Sequence, residues 1–345
     1  MARIDVYNNL EDFRIKLNVS EGNPAISIES YSGEDETVTI PASFAGIPVT
    51  AIGTCAFSRR KKVKHVILPE GLTSIGNYAF SGCTELKSLF IPESLTCIDA
   101  YAFSDCKQLT KINIPKGLIK ISYDMFVHCT NLTEFTIDKN NPVFTAVDGV
   151  LFDKAMTTLV LYPAGKKGGY TVPDTVFDFD INAFSGCREL TSISIPQSFM
   201  SDGHAPFSGC EKLADITVSE HNSMYGSSDG VLFNKDGTVL FEYPMGREND
   251  NYAVPERVIR IYRCAFENCK FLSEVILPEG LTVIENHAFS GCERLTAITL
   301  PMSLQYIGRK AFDECPNLET ITLSRNTKMG YKALKGFSGK LIYRD

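Results

Sequence analysis

Residues 86–106 read LKSLFIPESLTCIDAYAFSDC, and residues 295–315 read LTAITLPMSLQYIGRKAFDEC. Laid over one another, they share the scheme L-x-x-I-x-I-P-x-x-L-x-x-I-x-x-x-A-F-x-x-C. Outward from these two copies, the phenylalanine recurs as Phe57, Phe80, Phe103, Phe126, Phe184, Phe207, Phe266, Phe289 and Phe312. The gaps are 23 residues throughout, apart from one of 58 and one of 59. Cysteine follows three residues later at Cys83, Cys106, Cys129, Cys187, Cys210, Cys269, Cys292 and Cys315, and only Arg60 departs. A fixed period of this size marks a solenoid, in which each unit hides its apolar side only against its neighbours.

The unit reads as a coil. Its I-x-I part alternates with period two, which makes a short strand with the Ile residues inward and their neighbours in solvent. Proline ends that strand. The A-F-x-x-C part reads as a short helical turn that sends Ala, Phe and Cys to the interior. Stacked coils then form columns of like residues.

The L-x-x-I-x-I part resembles the leucine-rich repeat, and the pattern I-P…L-x-x-I-x-x-x-A-F-x-x-C is similar to the BspA-like leucine-rich repeats, known mainly from bacterial surface proteins. The likeness covers residues 38–324. It implies a right-handed, curved leucine-rich repeat solenoid, α/β but mostly β, with a concave parallel sheet. It also implies adhesion or protein binding, with no catalytic residues.

Less one period, the long gaps leave inserts of 35 and 36 residues, at about 139–172 and 220–254. They resemble each other at a separation of 81 residues: VDGVLFDKAMTTLVLYP against SDGVLFNKDGTVLFEYP. In each, Asp-Gly opens an apolar strand, a polar turn follows, and a second apolar strand ends in Tyr-Pro. Each is expected to be a β-hairpin module extending from the solenoid, with Asp236-Gly237 as a hairpin turn. Residues 1–37 and 325–345 lack the unit and are expected to cap the two ends, the latter with a short helix and a closing strand. The first repeat is five residues longer than the others between its Pro and its Phe.

Composition narrows the function. With 34 Lys+Arg against 41 Asp+Glu, the net charge is −7, the wrong sign for a protein that neutralises phosphates. Nucleic acid is therefore excluded as a main partner. No run of about 18 apolar residues exists, so no membrane insertion is expected. The N-terminal stretch MARIDVYNNLEDFRIKL lacks a signal-peptide core, whereas the resemblance implies a secreted or cell-surface protein; the cytoplasm stays open.

Candidate chemistry is sparse. Eight of the eleven cysteines share one repeat position and should stack as an inward thiol column, unreactive in the native protein. No C-x-x-C pair exists, so no metal and no cofactor are expected. Residues 226–230, GSSDG, match a nucleophile elbow, but a strand rather than a helix should follow. His65, His128, His204, His221 and His287 fall in different repeats and form no ligand motif. In 196–207, PQSFMSDGHAPF, Asp202 stands at a position that Ile121 occupies in the apolar column, with His204 beside it. The two form either a local bulge or a small site. The run RRKKVKH at 59–65 is a solvated loop or an attractor of acidic partners.

Binding is expected where the strands face solvent. Alternation assigns one outward column that includes His65, Ser88, Lys111 and Glu134, and a second that includes Ile67, Phe90, Asn113 and Thr136 and runs on to Thr322. Ile67 and Phe90 lie side by side with polar neighbours, as a protein-binding hot spot requires. The reading is a non-enzymatic, adhesion-type module that presents its concave strand face to a protein, such as a host extracellular protein, or to a glycan. An intracellular interaction scaffold is the alternative. A surface hydrolase is the third, and it lacks a convergent acid, base and nucleophile.

Overall fold

The computed structural model describes residues 10–20, 23–122, 124–201 and 206–344. The chain forms two compact units, Met1–Lys166 with Phe179–Cys187, and Lys167–Asp178 with Arg188–Asp345. Each is a mostly-β solenoid with parallel sheets and almost no helix.

In the first unit every coil has three walls. The front wall is the L-x-x-I-x-I strand. Thr37–Thr39, His65–Ile67 and Ser88–Phe90 pair in parallel, and Lys111–Ile114 pairs with Glu134–Ile137. The side wall comes from the L-x-x-I part: Ile47–Ile52, Ser74–Ile75, Cys97–Ile98 and Lys120–Ile121. Its first coil side is extended by Asn23–Tyr31 and then by Phe13–Ser20, which runs antiparallel to it. The extra residues of the first repeat make a tight antiparallel turn, Ser43–Phe44 against Ile47–Ile52, through left-handed Ala45 and Gly46.

The third wall is not helical. Each A-F-x-x-C segment carries two left-handed residues, one before the Ala and one before the Cys: Tyr78 and Gly82, Tyr101 and Asp105, His287 and Gly291. This alternation turns every second amide along the solenoid. Phe80 N–H donates to Ala102 O at 2.7 Å and Gly82 N–H to Ser104 O at 2.8 Å, while the amides between them close local turns. Helical bonding would leave those amides without the next coil, so the expected helical turn is replaced by a third ladder. The segment after residue 325 repeats this pattern. Ala333 and Leu334 take the A-F places between left-handed Lys332 and Gly336, and Lys340–Arg344 pairs with Thr320–Ser324 as one more front strand, with no helix.

The core is a stack of rings. Phe57, Phe80 and Phe103 lie 4.9 and 5.3 Å apart by centroid, and in the second unit Phe266, Phe289 and Phe312 lie 4.8 and 5.3 Å apart. All six are buried, so each coil contributes one ring whose two faces are covered only by its neighbours.

The second unit repeats the walls. Its front strands are Gly168–Thr171, Leu190–Ile195 and Asp215–Val218, then Asn251–Ala253 with Glu274–Ile276, then Ala297–Thr299, Thr320–Ser324 and Lys340–Arg344. The inserts are part of these solenoids rather than appendages. In each, two antiparallel turns lead into a last strand, Thr158–Leu161 or Val239–Glu242, that serves as a side-wall strand. Tyr162 and Tyr243 then fill the ring position, 5.2 Å from Phe184 and 5.2 Å from Phe266. A hairpin held only at its base would expose its apolar strands; joining the wall buries them.

Candidate functional site

The front strands of the first unit direct alternate residues outward. Both His65–Ile67 and Ser88–Phe90 are exposed, buried, exposed. The register sets His65 beside Ser88, Ile67 beside Phe90, Lys111 beside Glu134 and Asn113 beside Thr136. Ser88–Phe90 in turn packs next to Lys111–Ile114. Eight predicted residues are thereby gathered on one face. His65 Nδ1 lies 3.0 Å from Ser88 Oγ, Lys111 Nζ lies 2.5 Å from Glu134 Oε2, and the Thr136 hydroxyl donates to Asn113 Oδ1 at 3.1 Å. Ile67 and Phe90, 52% and 64% exposed, form an apolar pair next to the His65–Ser88 pair and at the head of the column that Asn113 and Thr136 continue. Asp202 and His204 lie outside the described residues. Thr322, expected in solvent, is buried, because Lys340–Arg344 pairs beside it and sets Ile342 against it.

Beyond Glu134–Ile137 opens a groove of about 680 Å³, lined in part by Glu134, Thr136, Asp138, Asp148, Lys154 and Lys166. One wall is the first insert's tip, Asp148-Gly149, both residues left-handed. The Phe135 amide donates to Gly149 O at 2.9 Å, so the tip is bonded to the front strand. Lys166 Nζ donates to the Asp148 carbonyl. The second insert is built alike: Ile216 N–H donates to Gly230 O at 2.9 Å, and Arg247 reaches both the carbonyl and, at 2.8 Å, the carboxylate of Asp229. Each tip is thus clamped from two sides. At the foot of each insert a buried asparagine makes four bonds. Asn141 donates to the Pro115 and Leu118 carbonyls and accepts from the Val143 and Phe144 amides. Asn222 does the same with Pro196, Phe199, Met224 and Tyr225.

The family model for the BspA type leucine rich repeat region matches residues 30–149, 169–229 and 245–342, in six copies. The chain belongs to the BspA-type leucine-rich repeat family. Comparison with curated proteins gives no match. Among solved structures, a leucine rich cell surface protein of Faecalibacterium prausnitzii is similar, with 23% identity over 98% of this chain and 94% of that one, at a TM-score of 0.56. The pneumococcal vaccine antigen PcpA is similar too, with 20% identity over 99% of this chain and 88% of that one, at a TM-score of 0.52. At these identities the likeness is one of fold.

In this BspA-type chain the repeat cysteines are buried, and no disulfide joins any of the eleven. They are more than filler. Each thiol on the regular coils donates to a carbonyl of the preceding coil, as Cys83 does to Phe57 O at 3.1 Å and Cys292 to Phe266 O at 3.2 Å. Burial pushes the Cys83 and Cys129 thiols up to about 12 and that of Cys315 up to about 11. The basic run is partly answered at once. Lys62 pairs with Glu34, and Lys64 with Glu36 at 2.6 Å, and hydrogen bonds from these lysines hold both carboxyls below their ordinary range. The GSSDG stretch is a hairpin strand and its turn, with Ser227 Oγ accepting from the Val218 amide at 2.9 Å. That geometry is not a nucleophile elbow.

Sequence reasoning missed the clamps and the asparagines. A signal was present, since the likeness of the inserts extends past Tyr-Pro: YPAGK at 162–166 against YPMGR at 243–247, and Asn141 against Asn222.

Proposed function

We propose that this BspA-type protein is a non-enzymatic binding module whose front strand face in the first unit holds a protein partner. The observation that carries the reading is the Ile67–Phe90 pair. Two large apolar side chains stand in register on adjacent strands, exposed, with His65, Ser88, Lys111 and Glu134 in the neighbouring outward column and Asn113 and Thr136 continuing their own. Strand propensity favours Ile and Phe singly, and their standing exposed side by side makes a contiguous apolar patch of the kind that marks an interaction surface. Binding hot spots have this composition, an apolar centre with a polar rim. The groove beside Glu134 and Thr136 continues the surface with mixed charge, which suits an extended polypeptide better than a stacked sugar, since no aromatic side chain is exposed in it.

Family membership and the name of the Faecalibacterium chain, a cell surface protein, support display at a bacterial surface with an adhesion role. Eleven cysteines without a disulfide support the second reading, an interaction scaffold in a reducing compartment. Capture of host extracellular proteins and of bacterial lysate by the native chain, compared with Ile67→Ala/Phe90→Ala, tests the first reading. A host protein retained by the native chain and lost from the variant supports it. Equal retention by both removes this face, and capture only from the lysate moves the function inside the cell.

A further inference from the structure

The side wall of the first unit ends on Phe13–Ser20, FRIKLNVS, paired on one side with Asn23–Tyr31 and on the other with no strand among the described residues. Ile15 stands opposite Ile28 and Leu17 opposite Ile26. Residues directly across an antiparallel pair share a face, and Ile26 and Ile28 face the core. Ile15, Leu17 and Val19 therefore continue the core-facing side one strand beyond the last coil. Phe13, on the same side, is covered by Tyr31 and Phe44 at centroid distances of 5.1 and 6.2 Å. Past it the cover stops: Ile15, Leu17 and Val19 are 41%, 55% and 65% exposed.

An open strand edge with an apolar row accepts another strand. The sequence of this strand fits its own copy. Laid antiparallel to itself about Leu17, it sets Leu17 against Leu17, Ile15 against Val19 and Lys16 against Asn18. The three apolar residues then meet on one face, and neither Arg14 nor Lys16 stands directly opposite another cation. An acidic strand would find those two cations on the opposite face and gain nothing for the apolar row. We propose that Phe13–Ser20 pairs with the same strand of a second copy across a two-fold axis, joining two side walls into one sheet and packing the two apolar rows side by side on one face. Such a contact uses the same patch twice and closes at a dimer. It uses the side wall, not the front strands assigned to the partner above.

Sedimentation of the full chain across micromolar concentrations tests this. The expected result is a reversible species of twice 38.2 kDa, with Leu17→Lys and Val19→Lys each raising the dissociation constant by at least about tenfold. Both sites are exposed, so an unchanged circular dichroism spectrum and thermal midpoint check that the variants fold. In a Cys55→Ser background, which removes the exposed cysteine, Leu17→Cys should cross-link to itself under mild oxidation and Arg14→Cys should not. A monomer at every concentration, a dimer indifferent to Leu17→Lys, growth beyond the dimer, or equal cross-linking at position 14 would each overturn the pairing.

Discussion

Glu242 holds in the second insert the place that Leu161 holds in the first: each precedes the Tyr-Pro pair, and each is buried, at 6% and 8% exposure. The carboxyl is pushed well above its ordinary range by burial first, and then by the Cys210 and Glu267 side chains nearby. Glu267 is raised as well, again chiefly by burial. An acid raised in the folded state supports folding fully below its unfolded value, near 4.3, and loses that support as pH climbs through its folded value. Stability should therefore fall on going from mildly acidic to mildly alkaline pH. Glu242→Leu should raise the thermal midpoint at pH 8 by roughly 3 °C or more and change little at pH 4.5. An unchanged pH slope in the variant would show that Glu242 does not carry the effect.

Asn222 satisfies two carbonyls and two amides inside the protein, so Asn222→Ala strands four backbone groups. Each costs about 1–3 kcal/mol when left without a partner, less whatever water recovers. Urea unfolding should show a loss of at least about 3 kcal/mol. Asn222→Asp keeps the acceptor for Met224 and Tyr225 but not the donor for Pro196 and Phe199, and it should fall between the two. An Asn222→Ala variant as stable as the native chain would mean that the coil relaxes around the gap.

The thiol column makes a separate prediction. Burial keeps the column sulfurs protonated, so a thiol reagent at pH 8 should label Cys55 quickly and Cys97 and Cys264 more slowly. All eleven should react after denaturation without reductant. Cys292→Ala should cost about 1–2 kcal/mol through the lost S–H bond to Phe266 O and the small cavity. Fast labelling of more than three sites in the native protein would show that the coils open readily.

These features differ in how far they can be read from the chain. The front strands were legible because Ile-x-Ile alternation fixes both the strand and its outward residues, and His65, Ile67, Ser88 and Phe90 stand where it puts them. The third wall was not. Ala and Phe followed by Cys three residues on imitates helical spacing, and the left-handed position before the Ala is held by Tyr78, Tyr101, His287 and Lys310 rather than by glycine. Inter-coil amide bonds and the ring stack Tyr78–Tyr101, at 4.9 Å, hold conformations that local propensity disfavours. The clamps were hidden for another reason. Lys166 and Asp148, like Arg247 and Asp229, are 18 residues apart and meet only after the insert has folded back on its coil.

The tip that walls the groove can be tested with glycines of like conformation. Gly149 has φ +78° and Gly46 has φ +80°, so alanine pays a similar left-handed penalty at both, about 1 kcal/mol. Their surroundings differ. A Cβ at Gly46 meets nothing within 4 Å, whereas one at Gly149 comes 3.1 Å from Glu134 Cα and 3.2 Å from Thr133 O. Gly149→Ala must therefore also push the tip off the front strand, stretching the bond from the Phe135 amide to Gly149 O. It should cost about 1–2 kcal/mol more than Gly46→Ala, and the Phe135 amide should exchange with solvent much faster. Equal costs for the two variants, with Phe135 still protected, would show that the tip yields without leaving the strand, and that the groove beside Glu134 has a movable wall.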